Sequence, residues 1–176
     1  MVRFMKFIGY STFFMMMLMY FMPKDSAYYL LEEQLKQNDL VISGEELVDN
    51  AFYLSINNAS VSVKSINSAE IKNINIKIFG FFNSVNIENI TLSKSMKSFI
   101  PLHVEHINVK YSILTPSVLM MEGIGEFGEF VAEYEIFEHK LILHLKASKV
   151  MSDDYSSTLS NLKKSEDGEY IYEKSI

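Results

Sequence analysis

The sequence contains no cysteine. That absence removes disulfides, thiolate catalysis, cysteine-ligated zinc and lipoprotein-type acylation together, and it leaves the compartment open. Positive charge is also scarce. The 176 residues carry 16 Lys and Arg against 22 Asp and Glu, a net charge of −6. No basic stripe with interleaved aromatics is present, so no nucleic-acid partner is expected. No nucleophile elbow surrounds any serine, and Asp153-Asp154 reads as a capping pair rather than an acid/base dyad. His103 and His106 stand three apart, which ideal pleating would place on opposite faces of a strand. His139 and His144 flank a hairpin with no metal-ligand motif beside them. No catalytic, cofactor-binding or metal-ligating residue is therefore expected, and the chain reads as non-enzymatic.

What the sequence does hold is apolar residue, unevenly spread. Hydrophobic residues make up 48% and charged residues 22%, enough for a packed core in a single domain. Much of the apolar share lies at the start. Residues 7–22 read FIGYSTFFMMMLMYFM without a charge, and Phe4 and Met5 extend the run past Lys6, whose stem can snorkel. Three readings compete. A cleaved signal needs small residues before the cut, and Ala27 with Asp25 two positions earlier is a poor site. A buried helix would have to hide an apolar surface on every side inside a small domain. A transmembrane anchor within residues 4–22 fits the length of about 20 residues that a span needs. Arg3 and Lys6 precede the run, so the N-terminus is expected in the cytoplasm and residues 24–176 outside it. The expected domains are thus 1–23, start and anchor, and 24–176, an exported β-rich domain.

After Pro23, Asp25 or Ser26 can cap a helix whose Tyr28, Leu31 and Leu35 share one face, expected to pack on the domain itself. From Leu40 the period changes to two, and Asn57-Asn58 supplies turn chemistry. A repeat then appears. Ile56-x-x-Ala59-x-Val61 is followed by Ile71-x-x-Ile74-x-Ile76, Ile87-x-x-Ile90-x-Leu92 and Val104-x-x-Ile107-x-Val109, at steps of 15, 16 and 17 residues. Apolar residues three apart break alternation once per repeat. A bulge or corner there restores the inward face and adds twist, which predicts a curled sheet.

Further strands are expected over 119–127, 130–136 and 141–145, the last two joined as a hairpin through Glu138-His139. Gly123, Gly125 and Gly128 fit a bulge or a close backbone approach better than a nucleotide-binding loop. Glu122, Glu126, Glu129, Glu133, Glu135 and Glu138 read as a solvated sheet face. Ser152 or Asp153 is expected to cap a short helix through Leu162 and Lys164, and Tyr170 and Tyr172 a last strand. The predicted inward set is Ile74, Ile76, Ile78, Ile90, Leu92, Ile107, Val109, Leu141, Leu143 and Leu145. The fold class expected is mainly β: a curled antiparallel sheet with an N-terminal transmembrane helix, an adjoining amphipathic helix and a short C-terminal helix.

The order of these parts resembles the type II secretion system protein N family and, more distantly, AsmA-like envelope proteins. The resemblance rests on Arg3 and Lys6 before the apolar run, the Met22-Pro23-Lys24-Asp25 exit and the helix over 28–36. It continues through Leu54-x-Ile56-x-x-Ala59-x-Val61-x-Val63, Gly125-Glu-Phe-Gly128 and Gly168-Glu-Tyr-Ile-Tyr172. It spans most of the chain on degenerate hydrophobic patterns, in a chain shorter than typical members. It transfers no catalytic residues. It implies a periplasm-facing accessory of a secretion machine in the bacterial inner membrane, with other secretion-system or envelope proteins as partners. The AsmA-like side implies instead that the apolar face of the sheet binds or transports lipid.

Overall fold

The computed structural model describes residues 2–21, 23–50 and 52–175. Helix α1, Val2–Phe21, is followed after Pro23 by α2, Lys24–Gln37. The strands are β1 (Leu40–Ser43), β2 (Glu46–Asn50), β3 (Tyr53–Val63), β4 (Ile66–Ile78), β5 (Phe82–Leu92), β6 (His103–Ser112), β7 (Val118–Gly125), β8 (Gly128–Glu135) and β9 (Lys140–Ala147). Short helices α3 (Lys149–Asp154) and α4 (Ser156–Leu159) precede β10 (Lys163–Lys164) and β11 (Tyr170–Ser175). All strands belong to one antiparallel sheet, ordered β1-β3-β4-β5-β6-β7-β8-β9-β11-β10, with β2 paired to the other half of β3. The sheet is not closed into a barrel. The chain is mainly β with short helices, as its period-two patterning predicts.

The transmembrane helix is the part of the expectation that needs correcting. No helix among the described residues is long and apolar enough to cross a membrane. Arg3 and Lys6 occupy the first two turns of α1, and Gly9, Tyr10, Ser11 and Thr12 dilute the apolar run that follows. Met22, the expected end of that run, lies outside the described residues.

The repeat corresponds to β3, β4, β5 and β6, and its gaps line up. Asn57 pairs with Asn73 and Ala59 with Ile71, so Asn58 and Lys72 fall between pairs. Across the next two ladders, Asn89 and Glu105 take the same place. Asn58 and Asn89 adopt φ values of 56° and 54°. This left-handed conformation is tolerated by Asn more than by most residues, because its short amide bonds locally. A transverse row of four irregular residues therefore crosses the sheet. It lets Ile56 with Ala59, Ile71 with Ile74, Ile87 with Ile90 and Val104 with Ile107 all turn inward. At β6–β7 the row ends in a bulge, because β7 has no counterpart to Glu105. The expected turn at Asn57-Asn58 is absent: β3 runs through both residues.

The inward face is layered in register. One layer is Leu54, Ile76, Val85 and Val109, and the next is Ile56, Ile74, Ile87 and Ile107. Every residue of the predicted inward set is buried or half-buried. Tyr28 of α2, Met151 of α3 and Leu159 of α4 join this core from outside the sheet. On α2 the expected face is largely the inward one: Tyr28 is buried and Leu35 half-buried, but Leu31 is exposed, and Lys24, one turn before Tyr28, is buried. Lys24 reaches Asp49 of β2 at 3.1 Å, so a paired cation takes an inward position that hydrophobic periodicity does not mark. Pro23, not Asp25 or Ser26, precedes the first turn, and no side-chain cap bond forms. The Tyr28 hydroxyl donates to Glu45 at 3.2 Å; burial, then that carboxylate, hold it protonated well above the usual tyrosine range. The C-terminal helix also starts earlier than expected. Ser148 caps α3 by accepting from the Met151 amide, and Lys163 and Lys164 lie in β10.

The three glycines mark close approach. The Phe130 ring lies over Gly123, its partner across the ladder, and the Phe127 ring lies on Gly125. At Gly128, with φ +117°, a Cβ would meet the Lys146 carbonyl and the Ser148 amide. Gly128→Ala should therefore lower the stability of the full chain, measured by urea unfolding in mild detergent, by at least ~2 kcal/mol. At the transverse row, Asn89→Val should cost about 1–3 kcal/mol, since a β-branched residue resists positive φ, whereas Asn89→Gly should shift the midpoint little.

Candidate functional site

The face opposite the core is polar, and its middle is a cleft of about 820 Å³. Three cross-strand rows build it. Ser55, Asn75, Asn86 and Asn108 stand opposite one another from β3 to β6. Asn57, Asn73, Glu88 and His106 form the row on one side, and Tyr53, Lys77, Ser84 and Lys110 the row on the other. These positions alternate with the isoleucines and valines of the core, so the same pleat that buries one set presents the other.

The side chains satisfy one another in an ordered way. The Ser55 hydroxyl donates to Asn75 Oδ1 at 2.6 Å, Asn75 donates to Asn73, and Asn73 donates to Asn57 at 2.8 Å. Asn86 donates to Glu88 at 2.7 Å. Asn108 donates to Glu122 at 3.2 Å, but its own Oδ1 is buried without a hydrogen-bond partner among the described residues. The titratable groups lining the cleft are Tyr53, Lys77, Glu88, Glu105 and His106. Its chemistry is multiple hydrogen bonding, with amide donors and acceptors held in fixed order.

The histidines fall partly as expected. The bulge at Glu105 corrects the placement of His103 and His106. His103 pairs with Thr91 and His106 with Glu88, so both belong to the polar side rather than to opposite faces. His139 sits in the β8–β9 turn with φ 50°, its Nδ1 3.2 Å from the Tyr134 hydroxyl, and His144 lies 3.9 Å from Glu169. Among the described residues, no group of three or more His, Asp or Glu is arranged to hold a metal ion. Of the glutamate run, Glu126, Glu129, Glu133 and Glu138 are exposed. The asparagine rows were not singled out from the sequence. The signal was there as Asn73 and Asn75 alternating with Ile74 and Ile76, amides where an exposed strand face more often carries charge.

Lys110 lies 2.6 Å from Glu122, and both are about half exposed. The hydrogen bond from Lys110, with its charge and the Asn108 amide, holds the Glu122 carboxyl below its ordinary value against the opposing effect of burial. A depressed carboxylate contributes stability that is complete above its unfolded pKa, ~4.3, and is lost as pH falls through the folded value. The gap in stability between the parent and Glu122→Gln should therefore shrink as pH drops below ~4.3. For so exposed a pair the whole gap should be ~0.2–1 kcal/mol at neutral pH and smaller in high salt. Acid-range urea titrations of both proteins check this.

No family model, curated protein or solved structure matches the chain.

Proposed function

We propose that the chain is a non-enzymatic envelope protein, anchored in the bacterial inner membrane through α1, with its sheet on the periplasmic side; α1 falls short of the apolarity of a self-sufficient span, and the reading rests on its exposed apolar surface. In this reading it serves as a structural or assembly accessory of a type II secretion-like complex. One observation carries the membrane assignment. The apolar side chains of α1, among them Phe4, Phe7, Phe13, Phe14, Leu18 and Phe21, are exposed around the whole helix, while the core is assembled without them. So large an apolar surface calls for a covering medium, and lipid covers a helix on all sides at once. Arg3 and Lys6 at its start support a cytoplasmic N-terminus.

The assembly role is supported by the open ends of the sheet. At one end β10 pairs only with Tyr170 and Ile171, so the outer side of β11 from Tyr172 to Ser175 has no strand beside it among the described residues. Such an edge can accept a partner's strand through main-chain hydrogen bonds. The lipid-carrier alternative needs a concave, vacant apolar face. Leu54, Ile56 and Ala59 are each only 1% exposed, which favours a filled core and the assembly reading.

A photo-crosslinking residue at Tyr172 or Lys174 of the full chain, in membranes of a Gram-negative host, should capture a secretion-apparatus protein. Alkaline phosphatase joined after Ile176 should be active. An expressed but inactive fusion would overturn the periplasmic placement. A folded, membrane-bound protein that yields no secretion-apparatus adduct would overturn the assembly role.

A further inference from the structure

The sheet has two unlike ends. The connections β2–β3, β4–β5, β6–β7 and β8–β9 all lie at one end. Each carries exposed apolar side chains: Phe52 in the first, Phe81 at 52% in the second, Leu114 at 69% in the third and Phe137 at 75% in the fourth. The other end is built from Gly44-Glu45, Lys64-Ser65, the Lys94–Met96 turn and Glu126. Its exposed apolar residues, among them Val63, Ile66, Met96, Phe99 and Val150, stand among Lys64, Lys94, Lys97 and Lys149. Four separate connections that are apolar at one end, against a largely charged and polar set at the other, are not explained by the core, because none of those four tips is in it.

Two observations say what covers the apolar end. The first is continuity. Phe13, Met16, Met17, Tyr20 and Phe21 of α1 enclose an apolar hollow of about 420 Å³ with Phe52. Phe52 in turn stacks on Phe79 of the β4–β5 connection, with ring centroids 6.3 Å apart and planes 12° from parallel. The apolar surface of the helix thus runs on into the tips. The second is the tether. α1 ends at Phe21 and α2, packed on the sheet, begins at Lys24. The link between them spans only ~10 Å even when fully extended, so the sheet cannot stand off from whatever holds α1.

We propose that these hairpin tips form a rim that rests in the membrane–water interface and inserts its aromatic and aliphatic side chains among the lipids beside α1. The proposal rests on the membrane anchoring of α1 argued above. Aromatic residues gather at that depth because their rings suit the headgroup region. Charges near the rim are mixed, with Lys77 and Lys140 beside Glu135 and Glu138. The contact is therefore apolar and needs no anionic headgroup. It would fix the tilt of the sheet and point the polar end of the domain, and the β11 edge, in a constant direction from the membrane.

The absence of cysteine makes the test direct. The full chain is prepared with one cysteine at Leu114, Phe137, Lys64 or Phe14, carrying an environment-sensitive fluorophore, in phosphatidylcholine nanodiscs with or without lipid-borne quencher. Labels at 114 and 137 should be quenched several-fold more than the label at 64. The double change Phe81→Ser with Phe137→Ser should weaken quenching at 114 at least twofold while leaving the urea midpoint in place, since both residues are exposed. Quenching at 14 with none at 114 and 137 would overturn the rim and leave the anchoring standing. No quenching at any of 14, 114 and 137 would overturn both.

Discussion

A β-strand that must bury residues three apart cannot keep its pleat, and that conflict organises this molecule. In β3, β4, β5 and β6 the chain places apolar residues on either side of a two-residue gap. A regular strand would turn one of each pair to solvent. The conflict is resolved at the same level in all four strands, through Asn58, Lys72, Asn89 and Glu105. Because the irregular residues are aligned, each ladder resumes its register on both sides of the row. A bulge with the extra residue in one strand alone occurs at β6–β7, where the repeat stops and Gly123 and Gly125 begin. There the phenyl rings of Phe127 and Phe130 supply the volume that the glycines lack.

The row also decides what the other face can be. Since both apolar residues of each pair turn inward, the polar residues before and after them collect outward, and the gap residues add to that side. This is why Asn57, Asn73, Glu88 and His106 share one line, and why His103 and His106 fall on the same side despite an odd separation. Amides suit this arrangement. Asn is both donor and acceptor, so Ser55, Asn75, Asn73 and Asn57 form a relay in which each donated bond meets an acceptor. Charged residues at the same four positions would repel across the ladder. The cleft and the core are two consequences of one pattern.

That pattern was legible because it is local and repeated. Isoleucine and valine at fixed spacing identify strands and their inward set without knowledge of partners, and the i, i+3 gap announces an irregularity. What stayed hidden depended on pairing. Asn57-Asn58 fits a turn as well as it fits a left-handed residue within a strand, and only the ladder to β4 separates the two. On α2 the periodicity found the face of Tyr28 and Leu35 but not that Leu31 would be exposed, nor that Lys24 on the same face would be buried through its pairing with Asp49. The lysines expected at the end of the last helix became β10, since their backbone pairs with Tyr170 and Ile171. For α1, the run of phenylalanine and methionine was plain, but its polar residues at 9–12 weigh against a span more than the uncharged length suggested.

An open sheet of this size must also keep its edges from pairing indiscriminately. At the first edge the task is divided between two short strands. β1 and β2 occupy opposite halves of β3, with Gly44 at φ 76° turning the chain between them, and α2 packs against both. Neither half offers a long flat template, and Asp49 of β2 is engaged by Lys24. At the last edge β10 is two residues long, and both are lysines, a charged cover that resists a second chain. It shields only the first two residues of β11. The remaining four residues, Tyr172-Glu173-Lys174-Ser175, are charged at their middle, and the Glu173 carboxylate is held below its ordinary range by the hydrogen bond and charge of Lys140, 2.8 Å away. That leaves an edge four residues long with an acid and a base exposed along it. Such an edge is too short and too polar for indiscriminate aggregation, yet it keeps the free main-chain groups that one matched strand needs. Selectivity at this edge would come from the pairing of Glu173 and Lys174 with complementary charges, because the backbone bonds are the same for every partner.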